Sequence, residues 1–261
     1  MQDLRVTLVQ TDLAWEDARA NRAMLEAKFN GLEGATDLIV LPEMFPTGFS
    51  MRSRELAETM EGPTVAWMRE HASRSGAAMY GSLIMREDGH HTNRAILMKP
   101  DGTCSWYDKK HLFRMGEENG HYTTGTRRVV AAYRGWRILL QICYDLRFPV
   151  FARNRGDYDL ILYVACWPSA RHYAWQHLLI ARAIENQACV VGVNRVGVDG
   201  KGLHYAGGST VLDALGQPPA GLPQDGGEWV RTFTLDAKAL LALREKFPVA
   251  ADADPFTLDV R

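Results

Sequence analysis

Ile138-Leu139-Leu140-Gln141-Ile142-Cys143-Tyr144-Asp145-Leu146-Arg147-Phe148-Pro149 is the stretch on which the reading of this chain turns. Its first half is an almost unbroken apolar run, short enough to be a strand buried on both faces. Its second half is polar and meets Pro149, a residue suited to the first turn of a helix. A strand running into a helix leaves Cys143 at the carboxyl end of the strand, where open α/β sheets place their ligands. A following helix N-terminus favours a thiolate there. The plainer alternative is a core cysteine, because free Cys is among the most buried residue types.

The pattern repeats outward from this strand. Residues 4–10, 37–41 and 158–165 read as strands, the last two as continuous apolar runs. Helices are expected over 16–30, from Pro63 to Gly76, from Pro149 to about Arg155, over 173–186 and over 237–247. Strands at 77–85, 92–99 and 103–107 are joined through Asp88-Gly89 and Asp101-Gly102, both hairpin signals. Residues 129–133 and 136–142 pair around Arg134-Gly135. Further strands are expected at 189–193, 209–212 and 228–234, and 114–125 reads as a loop. Strands that alternate with helices in some places and form hairpins in others predict two mixed sheets, each covered by helices on one face. No linker divides the chain, so one domain is expected over 1–261, with 248–261 as a C-terminal arm.

Composition narrows the function classes. The chain has 261 residues, 46% of them hydrophobic and 23% charged, with a formal net charge of −1. Such a balance draws the chain toward neither nucleic acid nor an acidic membrane. No apolar stretch reaches the ~18 residues of a transmembrane helix. A strand pattern starting at Leu4 leaves no room for a signal peptide. Cys104, Cys143, Cys166 and Cys189 show no Cys-x-x-Cys spacing, and reduced thiols in a cytoplasm are expected, with no disulfide framework. No metal-ligand spacing is present, His90-His91 included, and neither metal nor cofactor is expected. The link Gly200–Gly208 lacks the Gly-Lys-Ser/Thr ending of a phosphate loop and reads as a plain hairpin connection.

Glu43, Cys143 and Trp167 each follow a buried strand, and Lys109 follows the strand ending at Tyr107. Leu41-Pro42-Glu43-Met44-Phe45, Asp108-Lys109-Lys110-His111-Leu112-Phe113 and Cys143-Tyr144-Asp145-Leu146-Arg147-Phe148-Pro149 resemble the three signature blocks of the nitrilase (carbon–nitrogen hydrolase) superfamily. Arg182-Ala183-Ile184-Glu185-Asn186 and Gly207-Gly208-Ser209 resemble two further landmarks. The resemblance spans nearly the whole chain. It implies a four-layer α-β-β-α sandwich and a Glu43–Lys109–Cys143 catalytic set, with Glu43 as base and Cys143 as nucleophile. It also implies a second glutamate, Glu118 or its rival Glu117, and a homodimer or higher homo-oligomer. The dimer is expected through the helix after Pro149 and the one carrying Trp175, Leu178 and Leu179.

The wording of the blocks, with Cys166-Trp167-Pro168-Ser169-Ala170-Arg171, looks closest to bacterial omega-amidase-like members. These deamidate small 2-oxo acids such as 2-oxoglutaramate and 2-oxosuccinamate, releasing ammonia through a cysteine thioester. The far carboxylate of such a substrate calls for an arginine. Arg171 is the first candidate and Arg114 the second, the alternative for each being a surface ion pair. Tyr144 would lend its backbone N–H to the oxyanion. Trp167 either walls the pocket or belongs to the core. Three other readings stay open: a Cys143–His111 pair, another carbon–nitrogen hydrolase such as an N-carbamoyl-amine amidohydrolase, and a non-catalytic or redox-sensing thiol protein.

Overall fold

In the computed structural model, residues 1–223 and 226–258 are described. Strand β1 (Leu4–Gln10) leads into α1 (Ala18–Lys28), whose N-cap Asp17 accepts a hydrogen bond from the Ala20 N–H. Then come β2 (Leu38–Val40), α2 (Ser53–Leu56) and α3 (Pro63–Ser75), the last ended by left-handed Gly76. A meander follows of β3 (Ala78–Glu87), β4 (His90–Met98) and β5 (Cys104–Asp108). Next are β6 (Val130–Tyr133), β7 (Trp136–Ile142), α4 (Pro149–Ala152), β8 (Leu160–Ala165) and α5 (His172–Asn186). The chain continues through β9 (Cys189–Asn194), the hairpin β10 (Val196–Val198) and β11 (His204–Ala206), and β12 (Thr210–Leu212). It closes with β13 (Trp229–Leu235) and α6 (Ala237–Lys246).

Two mixed sheets result, ordered β13-β1-β2-β3-β4-β5 and β12-β9-β8-β7-β6. Each has a parallel centre, β1-β2-β3 in one and β7-β8-β9 in the other, with antiparallel strands outside it. Alternation along β2 shows how they stack. Leu38 and Val40 join a core with Ile138, Leu140 and Ile142 of the second sheet. Ile39 points the other way, into a separate cluster with Leu25, Val65 and Met68 of α1 and α3. On the far side, α5 lies directly on β9, where Gly192 makes room. A Cβ there would stand 2.7 Å from Leu179 Cδ1. The layers are therefore α-β-β-α, and sheet-on-sheet burial explains the apolar runs of β7 and β8.

Several expectations are corrected. The helix after Pro149 is a single turn and does not reach Arg155. Before it, residues Cys143–Arg147 coil as a 3-10 turn. After it, the Asn154 side chain accepts from the N–H groups of Gly156 and Asp157 and turns the chain out of helix. The loop 114–125 contains two 3-10 turns, Arg114–Gly116 and Glu118–Gly120. On α5, Trp175 and Leu179 are buried in this chain's own core and Leu178 is half-buried. The apolar surface α5 leaves exposed belongs to Tyr173, Ile180 and Ile184. The arm from Pro248 carries a 3-10 turn, Val249–Asp252, and its last three residues, 259–261, lie outside the described residues.

Candidate active site

Cys143 follows β7 with φ of 44°, a left-handed conformation that costs a non-glycine residue energy. The elbow is held by Asp145, which is fully buried. Its Oδ2 accepts from the Ile142 N–H at 3.0 Å and from the Tyr107 hydroxyl at 2.8 Å. Its Oδ1 takes the His111 N–H at 3.0 Å and lies 2.7 Å from His111 Nδ1. His111 is thus tied to Asp145 and stacked on Phe148, with 3.8 Å between ring centroids, which removes it from a Cys143–His111 pair. Met44, just after Glu43, also has a left-handed φ of 43°, and its N–H is fixed by Ser82 Oγ at 2.8 Å. Both site-bearing loops are over-determined by their surroundings.

Three strand ends and one loop bring Glu43, Lys109, Glu118 and Cys143 together. Lys109 Nζ lies 2.8 Å from Glu43 Oε1 and 3.0 and 2.9 Å from the two oxygens of Glu118. All three of these side chains are completely buried, and Cys143 is 8% exposed. Glu118, not Glu117, meets the lysine. Glu117 sits in the left-handed region at φ 61°, exposed on the cavity wall, whereas Glu118 Oε2 also accepts the Phe113 N–H. Glu43 Oε2 accepts the Cys166 N–H at 2.8 Å.

The electrostatics follow from burial. Desolvation would discharge the Lys109 amine, but Glu118 and Glu43 outweigh it and hold its pKa well above the ordinary lysine value. Glu118 is raised by burial against the pull of Lys109. Burial, and then the Glu43 charge, push the Cys143 thiol well above its usual range, with Lys109 opposing. The expected preference for thiolate is therefore overturned. A five-residue 3-10 turn offers little dipole, and the carboxylate faces the sulfur. Cys104 is half-exposed, so accessibility alone does not single out Cys143.

A cavity of about 410 Å³ opens above the sulfur, with Lys109, Cys166, Trp167 and the Tyr144 residue among its walls. Trp167 is both wall and core: it lines the cavity at 3% exposure, its Nε1–H bonded to the Arg171 carbonyl at 2.8 Å. The Arg171 guanidinium lies 5.1 Å from the Phe113 ring centroid, and that of Arg147, also on the wall, 5.0 Å from the Trp167 ring. Among the described residues each guanidinium rests on an aromatic ring and forms no ion pair, so the surface-pairing alternative for Arg171 is not what the structure has. Arg114 is exposed and off the cavity wall, a correction that follows from its place on the outward side of the 3-10 turn.

Sequence reasoning missed three features. Asn93, fully buried on β4, donates from Nδ2 to Glu43 Oε1 at 2.8 Å and Glu118 Oε1 at 3.2 Å. Its neighbours Thr92 and Arg94 are polar too, so nothing in the strand's sequence singles it out. Asp145, although quoted in its block, carried no sign of its bonding. The β10–β11 hairpin reads in sequence as a plain connection, yet Asp199, Lys201, Leu203 and Tyr205 form one wall of the cavity.

Residues 5–245 match the sequence profile described as Carbon-nitrogen hydrolase. The Omega-amidase YafV of Yersinia enterocolitica is 48% identical over 258 residues, covering 99% of this chain and 100% of that protein. The 2-oxoglutaramate amidase of Bacillus subtilis is 28% identical over 254 residues, covering 95% of this chain and 96% of that protein. Among solved structures, XC1258 from Xanthomonas campestris is a CN-hydrolase superfamily protein with an arsenic adduct in its active site. It superposes with a TM-score of 0.96 at 50% identity, covering 99% of this chain and 100% of that one.

Proposed function

The chain belongs to the carbon–nitrogen hydrolase family, and from that premise we propose that it is an omega-amidase. It hydrolyses the terminal carboxamide of short 2-oxo acids such as 2-oxoglutaramate and 2-oxosuccinamate to the dicarboxylate and ammonia. The names of the Yersinia and Bacillus relatives support the substrate class. The observation that carries the chemistry is the buried contact of Lys109 with both Glu43 and Glu118 beside the Cys143 thiol.

Because the resting sulfur is a thiol, Glu43 takes its proton as Sγ attacks the amide carbon. The oxyanion is held by Lys109 Nζ and the Tyr144 N–H, each such donor being worth ~2.7–4 kcal/mol of barrier. On collapse the C–N bond breaks, Glu43 passes its proton to the departing nitrogen, and ammonia leaves a thioester on Cys143. Glu43 then deprotonates a water that attacks the thioester carbon. The C–S bond breaks, and sulfur regains a proton as the acid leaves. Glu118 keeps Lys109 in place throughout. Arg171 and Arg147, charged, without an ion pair among the described residues and already positioned over aromatic rings, receive the substrate's distal carboxylate.

The chain acts as one carbon–nitrogen hydrolase domain over residues 1–261, of which 248–261 form a C-terminal arm. The enzyme works as a homodimer that joins through the exposed Tyr173, Ile180 and Ile184 of α5 together with Val150 of α4. Light scattering should report twice the chain mass. Four unpaired cysteines support a cytoplasmic setting. No described helix is long and apolar enough to cross a membrane. The deciding assay is ammonia release from a panel of short 2-oxo acid amides, carbamoyl amines and nitriles. Faster turnover of a carbamoyl amine or nitrile than of 2-oxoglutaramate would overturn the assignment.

A further inference from the structure

We infer that Asn93 is a positioning residue of the hydrolytic site, holding the Glu43 and Glu118 carboxylates so that Lys109 can release a proton donor to the oxyanion. The inference rests on the Glu43–Lys109–Cys143 reading above. An ammonium group has three N–H donors and no acceptor. In the resting site Lys109 Nζ makes three contacts, one to Glu43 and two to Glu118, so its donors are already committed. Stabilising an oxyanion requires at least one of them to turn toward the substrate. Without a second donor, a carboxylate would then be left charged, fully buried and short of hydrogen bonds, a costly state.

Asn93 supplies that second donor from a rigid place. It lies within β4, paired with Ile84 of β3, and its backbone carbonyl accepts the Lys109 N–H at 2.9 Å. Its two Nδ2 protons reach the same Oε1 atoms of Glu43 and Glu118 that Lys109 contacts. The other half of the amide is telling. Asn93 Oδ1 is buried with no hydrogen-bond partner among the described residues, an unsatisfied acceptor at this position. A residue kept for core stability alone would not need it. A neutral donor also suits the charge balance better than a second cation, which would compete with Lys109 for both carboxylates.

The groups facing this cluster are Glu43 after β2, Lys109 after β5, Glu118 and Tyr122 on the following loop, and the Cys143 and Cys166 thiols after β7 and β8. Removing a donor from a carboxylate disfavours its charged form and raises its pKa. Activity that needs Glu43 ionised must then fail at a higher pH. The acid limb of the kcat profile moves upward.

The test uses full-length protein and whichever amide the ammonia-release panel finds best, comparing wild type, C143A, Asn93→Leu and Asn93→Asp. Asn93→Leu keeps the branched heavy-atom skeleton, adds some bulk, and removes both the donor and the orphan acceptor. Its kcat should fall roughly ten- to hundredfold, from the loss of hydrogen bonds to charged groups, with little change in KM. Its thermal unfolding should stay near wild type, and its acid limb should move to higher pH. Asn93→Asp adds a third carboxylate, so its acid limb should move further and its activity should partly recover at alkaline pH. An unmoved acid limb in either folded variant, or a loss that follows the fraction of folded protein, overturns the inference. If Asn93→Leu does not fold, the Asn93→Asp profile decides alone. Residual full activity in C143A would instead overturn the catalytic reading on which the inference rests.

Discussion

At the scale of single residues, the site is defined by which charges are paired and which are left free. Lys109 is fully committed to carboxylates, whereas Arg171 and Arg147 are held by aromatic faces and form no ion pair among the described residues. Arg171→Ala should therefore raise KM for 2-oxoglutaramate roughly tenfold or more and leave an uncharged short amide nearly unaffected. Equal losses on both substrates would remove Arg171 from the site. The thiol gives a second residue-scale expectation. Burial and Glu43 keep Cys143 protonated, so alkylation by iodoacetamide should still be accelerating past pH ~8.5, the ordinary thiol value. A plateau below that pH would show a stabilised thiolate. Cys104 is the more exposed thiol and should also label, but only Cys143 labelling, placed by peptide mass mapping, should follow the loss of activity.

At the scale of elements, the β10–β11 hairpin is the part of the fold whose sequence reads as a connection and whose structure builds a wall. It is pinned at its base by buried Arg195, which is paired with Asp12 in the loop after β1. At its tip the Trp15 indole covers Gly200, where a Cβ would stand 2.3 Å from Trp15 Cδ1. Asp199 organises the turn by accepting the N–H groups of Lys201 and Leu203 and the Tyr205 hydroxyl. Gly200→Ala should force the indole or the tip to move and shift the cavity wall. The expected result is KM about three- to tenfold higher with a melting temperature close to wild type. An unchanged KM would mean that the hairpin does not meet the substrate.

At the scale of the whole molecule, Asp159 at the N-terminal end of β8 ties distant elements together through Arg137 of β7 and Arg244 of α6. Burial alone would raise its carboxyl, but hydrogen bonds from the two guanidinium groups outweigh burial and hold it below the ordinary aspartate range. A folded-state pKa below the unfolded one contributes stability that is complete above the unfolded value, about 3.9, and is lost as pH falls through the folded value. Acid unfolding should thus set in below about pH 4. Asp159→Asn should lose about 2 kcal/mol at neutral pH, less than a fully buried pair would, because Arg137 remains partly in water. Denaturant titration at pH 7 and pH 3 checks both, and a variant whose deficit is undiminished at pH 3 would contradict the linkage. The sequence by itself determined the two mixed sheets, the buried parallel strands and the placing of Glu43, Lys109 and Cys143 at strand ends. Apolar runs, hairpin turns and ordered blocks are local properties written in consecutive residues. Only the tertiary structure decided that Glu118 and not Glu117 meets Lys109, that Asn93 joins the carboxylates, that His111 belongs to Asp145, that the hairpin walls the cavity and that Cys143 rests as a thiol. Each of these depends on burial and on contacts across the fold, such as Cys166 to Glu43 over 123 positions and Arg195 to Asp12 over 183. Protonation and donor sharing depend on distance in space, and residue spacing along the chain does not encode that distance.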